Sequence, residues 1–149
     1  MSEPFIILGR PPRSGALALL HCQGLPVSDI TDAHLEHFFF VGNGDFPTGL
    51  VGVEIYDSVA LLRSLVVSEN ARSKGLGSAL TQHAEQYAAS KNVGAMYLLT
   101  TTAELFFNRL GYQRIDRTQA PPFIERTREF ADLCPASSAF MVKSLSRNG

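Results

Sequence analysis

The stretch Ser64-Leu65-Val66-Val67-Ser68-Glu69-Asn70-Ala71-Arg72-Ser73-Lys74-Gly75-Leu76-Gly77-Ser78-Ala79-Leu80 changes its pattern halfway along. Its first four residues are the end of an apolar, β-branched run over 59–67, the composition of a buried strand. From Leu76 the apolar and small positions 76, 79, 80, 83, 84, 87 and 88 recur at helical spacing, which predicts an amphipathic helix over 76–90. Between the two lies a polar turn with Gly75 and Gly77. Glycine lets backbone approach a ligand closely. The first amides of the following helix have no intrahelical partner and carry the positive end of its dipole. Strand, glycine turn and helix start therefore predict an anion site suited to a pyrophosphate, with Arg72 and Lys74 adding charge. The alternative is a plain surface turn. Neither Gly-x-Gly-x-x-Gly nor the Gly-x-x-x-x-Gly-Lys-Ser/Thr phosphate loop occurs.

Working outward, Leu50–Tyr56 and Val59–Val67 are two β-rich runs separated only by Asp57-Ser58, the spacing of a tight hairpin. That register puts Glu54 opposite Leu61 and diagonal to Arg63, on the face shared by Gly52, Tyr56 and Leu65. Val51, Val53, Ile55, Ala60, Leu62 and Val66 take the other face and read as core. Glu54 and Arg63 thus form a polar pair within apolar strands. They read either as a structural ion pair or as a site pair.

The remaining elements are short. The pattern predicts a strand over 5–8, a helix from Ser14 to about Gln23 stopped by Gly24 and Pro26, and a short helix from Ser28 or Asp29 to about Glu36. Strands follow over 38–41 and 95–100. A helix over 103–110 ends at Gly111. Extended chain covers 112–117, a helix covers 123–130 after Pro121-Pro122, and a last strand covers 139–145. Thr101 and Glu104 fit a Thr-x-x-Glu capping box. The order, a hairpin and then β–α–β–α–β, predicts a mixed sheet with helices on both faces.

The chain has 149 residues, 45% hydrophobic and 18% charged, with a net charge of −1. We expect one domain over 1–149. The charge balance argues against a strong grip on nucleic acid or on anionic membrane. No apolar run approaches the ~20 residues of a membrane span, and no signal peptide is visible; a cytoplasmic location is expected. Cys22 and Cys134 have no zinc spacing and read as free or buried thiols, so no metal is expected. Ser64 and Ser78 lack the partners of a hydrolase triad. His83 reads as packing.

Arg72-x-x-Gly75-x-Gly77 after Leu65–Val67 resembles the acetyl-CoA loop of the GCN5-related N-acetyltransferases (GNAT). The block Leu98-Leu-Thr-Thr-Thr-Ala-Glu-Leu-Phe-Phe-Asn-Arg-Leu-Gly-Tyr112 resembles that family's later motif. Glu54, the run Leu61-Leu-Arg-Ser64 and Leu133-Cys-Pro-Ala-Ser137 are similar to the branch of arsenic-resistance-operon and N-acetylglutamate-synthase-like acetyltransferases. The resemblance covers about 37–143. It implies the GNAT acyl-CoA N-acyltransferase fold, an α/β (α+β mixed) arrangement with a central mixed, mostly antiparallel, splayed sheet and helices on both faces.

It implies acetyl-CoA as cosubstrate, with Leu65, Val66 and Val67 along the pantetheine arm and Arg72, Ser73, Lys74, Gly75, Leu76, Gly77 and Ser78 around the pyrophosphate. Phe107 and Asn108 would also lie on the cofactor. A backbone amide near Val66 would stabilise the oxyanion. Glu54 would take the proton of the attacking amine. Pairing with Arg in general favours the ionised form of a carboxylate, which points to a water relay.

Arg63, Thr100, Thr102, Arg117 and Arg126 are the acceptor-binding candidates, because guanidinium forks suit an acid group. The implied acceptor is a small primary amine, amino-acid-like, glutamate-like or an arsenical. Phe107 stands where many members carry a tyrosine that protonates the leaving thiolate. That departure keeps a second reading open, a CoA-binding sensor with little catalysis. The family's habit of pairing leaves a homodimer open as well.

Overall fold

The computed structural model describes residues 5–25, 27–72, 74–133 and 137–145. The expected helix stop at Pro26, the loop residue Ser73 and the thiol of Cys134 lie outside them. The chain runs β1 (Leu8–Gly9), α1 (Arg13–Cys22), α2 (Asp32–Leu35), β2 (Phe38–Gly42), β3 (Pro47–Tyr56) and β4 (Val59–Val67). Then come α3 (Leu76–Ser90), β5 (Ala95–Thr100), α4 (Glu104–Arg109), β6 (Gln113–Ile115), α5 (Pro122–Glu125) and β7 (Ala139–Ser144). Short 3₁₀ turns cover Glu69–Ala71 and Arg117–Gln119, and a wide π-helical turn covers Glu129–Leu133.

The strands form one seven-stranded sheet in the order β1-β2-β3-β4-β5-β7-β6. Pairing is antiparallel for β1/β2, β2/β3, β5/β7 and β6/β7, and parallel for β4/β5. This is the mixed, mostly antiparallel sheet that the order of elements predicts.

The chain divides into two compact units, residues 1–53 with 64–84, and residues 54–63 with 85–149. In the first, Ala16, Leu20, Ile30, Leu35, Phe38, Phe40, Leu50 and Val66 form the buried core. α1 supplies the pair Ala16 and Leu20 at i, i+4 spacing. Gly52 has no side chain because Phe38 lies over it; a Cβ there would come within 2.4 Å of that ring. The expected strand over 5–8 shrinks to two paired residues, since Arg10 turns to a positive φ of 56° just ahead of Pro11-Pro12.

In the second unit, Leu61, Ile124, Phe130 and Phe140 form the core, with Tyr56, Tyr97 and Leu99 packed against it. Asp57 takes a φ of 60°, as primed hairpin turns require at their first central residue. The parallel ladder runs from Val59↔Ala95 to Leu61↔Tyr97 and stops, although β5 continues to Thr100 against β7.

Three expectations change. The Thr101 capping box does not form: Ala103 is the N-cap, without a side-chain bond, and Thr100 Oγ1 accepts from the Ala103 amide at 3.0 Å. The helix begins at Glu104, two residues later than that box requires. The helix expected over 123–130 is broken. Thr127 Oγ1 donates to the Ile124 carbonyl at 2.8 Å and accepts from the Phe130 amide at 3.2 Å, ending α5 and starting the π turn. The helix expected from Ser28 or Asp29 is a single turn capped by Thr31.

Candidate active site

In the first unit, β4 leads into the glycine turn. Ser64 sits within this strand at a φ of 58°, a left-handed conformation that costs a non-glycine residue free energy and bends a strand. Leu65 and Val67 beyond it are half-buried and Val66 is buried. Gly75 has a φ of 81°, and a Cβ there would meet nothing within 4 Å. Glycine is needed at that position for its backbone conformation and leaves open space in front of it. The Gly75 carbonyl accepts from the Ala79 amide at 3.0 Å, so α3 starts there. The amides of Leu76, Gly77 and Ser78 precede the first intrahelical bond and form the helix's positive end. Lys74 is exposed beside them. Arg72 is already engaged: its Nε donates to the Val67 carbonyl at 3.1 Å and Nη2 donates to Gln23 Oε1 at 2.6 Å. It braces the turn against the strand it leaves. Farther along α3, His83 meets Phe39 edge-on at 4.6 Å, and burial lowers its pKa.

In the second unit, the hairpin brings Glu54 and Arg63 together as the diagonal register requires. Arg63 Nη1 donates to Glu54 Oε2 at 2.7 Å. Tyr56 Oη donates to Glu54 Oε1. A third acid joins them: Glu129 Oε2 lies 3.5 Å from Arg63 Nη2. The Arg63 side chain is 0% exposed, with Glu54 at 7% and Glu129 at 6%. An arginine enclosed this way is held by the protein's own carboxylates, so its donors are committed before any ligand arrives. Phe123 stacks on Tyr56 at 6.0 Å.

Arg117 meets the same π turn. Its Nη2 donates to the Phe130 carbonyl at 2.9 Å and its guanidinium rests 4.3 Å from the Phe130 ring centroid. Consecutive residues of one turn, Glu129 and Phe130, thus hold two arginines. Arg117 also lines an open groove of about 480 Å³ with Arg114, Ile115, Asp116, Ser138 and Phe140. Arg126 stays out of it, exposed and bonded to the Pro122 carbonyl at 3.1 Å. Thr100 is used to start α4, and Thr102 is exposed. Phe107 is buried edge-on to Tyr112 at 5.6 Å, while Asn108 is exposed. The Tyr112 hydroxyl is held far above its usual range by burial, then by the charge of Glu85.

Sequence reasoning missed Glu129 and Ser138. Both come from the segment after Pro121-Pro122, whose contacts with β4 and β6 are long-range. The one local signal is an acid, Glu129, set beside the apolar Phe130.

The model of the acetyltransferase (GNAT) family matches residues 15–112. An uncharacterized N-acetyltransferase of Chlorobaculum tepidum, CT2212, is 32% identical over 94 residues, which span 62% of this chain and 60% of that protein. Among solved structures, N-acetylglutamate synthase of Neisseria gonorrhoeae, complexed with coenzyme A and N-acetyl-glutamate, superposes with a TM-score of 0.81 at 16% identity. The match takes in 99% of this chain but only 36% of that one. Rv2747 of Mycobacterium tuberculosis, in complex with CoA, gives a TM-score of 0.75 at 18% identity over 95% of this chain and 99% of its own. Among the described residues no helix is long and apolar enough to cross a membrane. With the family's model spanning the glycine turn, α3 and the block ending at Tyr112, the chain belongs to the GNAT acetyltransferase family.

Proposed function

We propose that this protein transfers the acetyl group of acetyl-CoA to the primary amine of a small, acid-bearing acceptor. The observation that carries this is the turn at Gly75, left-handed, open in front and leading into the amides of α3. That donor set fits a pyrophosphate. Lys74 adds charge from the exposed side, and the edge of β4 over Leu65–Val67 offers backbone to an extended arm. Acetyl-CoA supplies the reactive thioester.

Only a neutral amine attacks, and a lysine-like amine is neutral in roughly one molecule per 2,500 at pH 7. Glu54 is the group assigned to take the proton, through water where contact is not direct. Arg63 and Tyr56 fix its two oxygens. In the transfer the amine nitrogen bonds to the acetyl carbon, the carbon–sulfur bond breaks, and the thiolate leaves with the electron pair. A thiol pKa near 8.5 makes that departure tolerable with Phe107 in place of an acid. The Val66 amide is the donor assigned to the developing oxyanion.

The enclosed state of Arg63 moves the acceptor's acid group to Arg117, leaving Arg63 as the residue that orients Glu54. The similarity to a synthase crystallised with N-acetyl-glutamate supports an amino-acid-like acceptor. Thiol release from acetyl-CoA against a panel of amino acids, amino-arsonates, polyamines and peptides tests the reading. Release with acid-bearing small amines is the expected result. Tight CoA binding without release from any acceptor would favour a sensor instead.

A further inference from the structure

We infer that Arg117 and Ser138 form a seat for a carboxylate group in the groove bounded by Ile115, Asp116 and Phe140. Ser138 is 3% exposed, and among the described residues its Oγ has no hydrogen-bond partner. Arg117 Nη1 is likewise buried and without a partner among the described residues. Buried donors left unpaired are costly, and native proteins rarely keep two in one groove without a reason. Here both line the same opening.

The donors define the ligand. Arg117 has committed Nη2 to the Phe130 carbonyl and its face to the Phe130 ring, which fixes the plane in which Nη1 points. One guanidinium N–H and one hydroxyl match the two oxygens of a carboxylate. They fall short of the oxygens and double charge of a phosphate. Asp116, also on the groove, further disfavours two charges concentrated on one group, as on a phosphate, although one of its oxygens is turned to the Thr118 amide at 3.4 Å. Arg114 brings no spare charge, because its Nη1 is paired with Glu104 at 3.2 Å. Phe140 and Ile115 offer apolar wall to a short methylene chain. The volume falls in the range of small-molecule sites.

The role of this seat, holding the acid group of the acceptor, rests on the proposed acetyl transfer; the binding itself does not. The test uses sodium succinate and inorganic phosphate as probes at matched ionic strength, read by thermal unfolding and calorimetry on the full chain. Succinate is expected to bind the wild type and raise its Tm with concentration, with phosphate weaker. Arg117→Gln should weaken succinate about tenfold or more, as loss of a charge-assisted bond does. Ser138→Ala should weaken it about fivefold while leaving the probe-free Tm unchanged or higher, since the lost hydroxyl bonds nothing among the described residues.

A purely structural Ser138 would instead lower that Tm. Arg128→Gln, on an exposed residue of the same segment, should match the wild type. Should Arg117→Gln fail to fold, Ser138→Ala carries the test alone. No response to succinate, a wild-type response in either variant, or tighter binding of phosphate each overturns the inference. Thiol release is scored separately. Succinate binding without release from any acceptor would remove the transferase reading and leave the seat. Release without succinate binding would do the reverse.

Discussion

Replacing Glu54 by Gln separates structure from chemistry at the buried charge cluster. Glu54 gives one oxygen to Arg63 at 2.7 Å and the other to Tyr56. Glutamine keeps the shape and one acceptor but loses the charge. A hydrogen bond to a charged group contributes about 1.5–3 kcal/mol and a neutral one about 0.5–1.5, so the substitution should cost about 1–2 kcal/mol of stability. Glu129, 3.5 Å from the same guanidinium, keeps Arg63 from becoming an isolated buried charge. Against the roughly 5–15 kcal/mol that holds a domain together, the variant remains folded.

Losing a general base removes about 10²- to 10⁴-fold in rate, or roughly 3–5 kcal/mol on the barrier. Urea unfolding and kcat for thiol release, measured on the same preparation, should therefore show a small stability change beside a large kinetic one. Arg63→Met should lower stability heavily as well as kcat. It leaves Glu54 and Glu129 buried without their shared partner, a defect worth about 3–5 kcal/mol. A Glu54→Gln enzyme that keeps more than about a tenth of wild-type kcat would refute Glu54 as the base. A stability loss well beyond ~3 kcal/mol would refute the claim that Glu129 takes up the charge of Arg63.

Gly75→Val forces a β-branched residue into a φ of 81°, so CoA affinity by calorimetry should fall at least about tenfold while the chain stays folded; unchanged affinity would refute the loop assignment. His83 should make stability fall with acid: burial lowers its native pKa below 6.5, so under that pH the unfolded chain takes up a proton that the native state resists. Urea midpoints should drop as pH falls through 6.5 toward the lowered value, and His83→Gln should flatten that slope; an unchanged slope would show that other groups set it. Phe107→Tyr should alter thiol release little; a large gain would mean that protonating the leaving thiolate limits turnover.

The strand–turn–helix unit was legible because each of its signals is local. A β-branched run, a glycine pair and a 3.6-residue repeat give α3 its bounds at Leu76 and Ser90 without tertiary help. The meeting of Glu54 with Arg63 was legible for the same reason, since a two-residue turn leaves one register. Glu129 was hidden because it reaches Arg63 across 66 positions from an irregular turn. The Thr127 hydroxyl that breaks the expected helix looks in sequence like any other helical threonine. The Thr-x-x-Glu pattern misled because β5 keeps Thr100 extended, and its hydroxyl reaches the chain two residues later than the pattern places the cap.

The wide turn over Glu129–Leu133 gears two distant groups together. Adjacent side chains on a helical turn point in different directions, and here that divergence serves two partners, Arg63 through the Glu129 carboxylate and Arg117 through the Phe130 ring. Tightening it into a regular α-turn would rotate both residues in the same sense. The two guanidiniums could then not be let go one at a time. Any motion that loosened the grip on the groove arginine would also shift the charge balance around Glu54, with the backbone as the only linkage required.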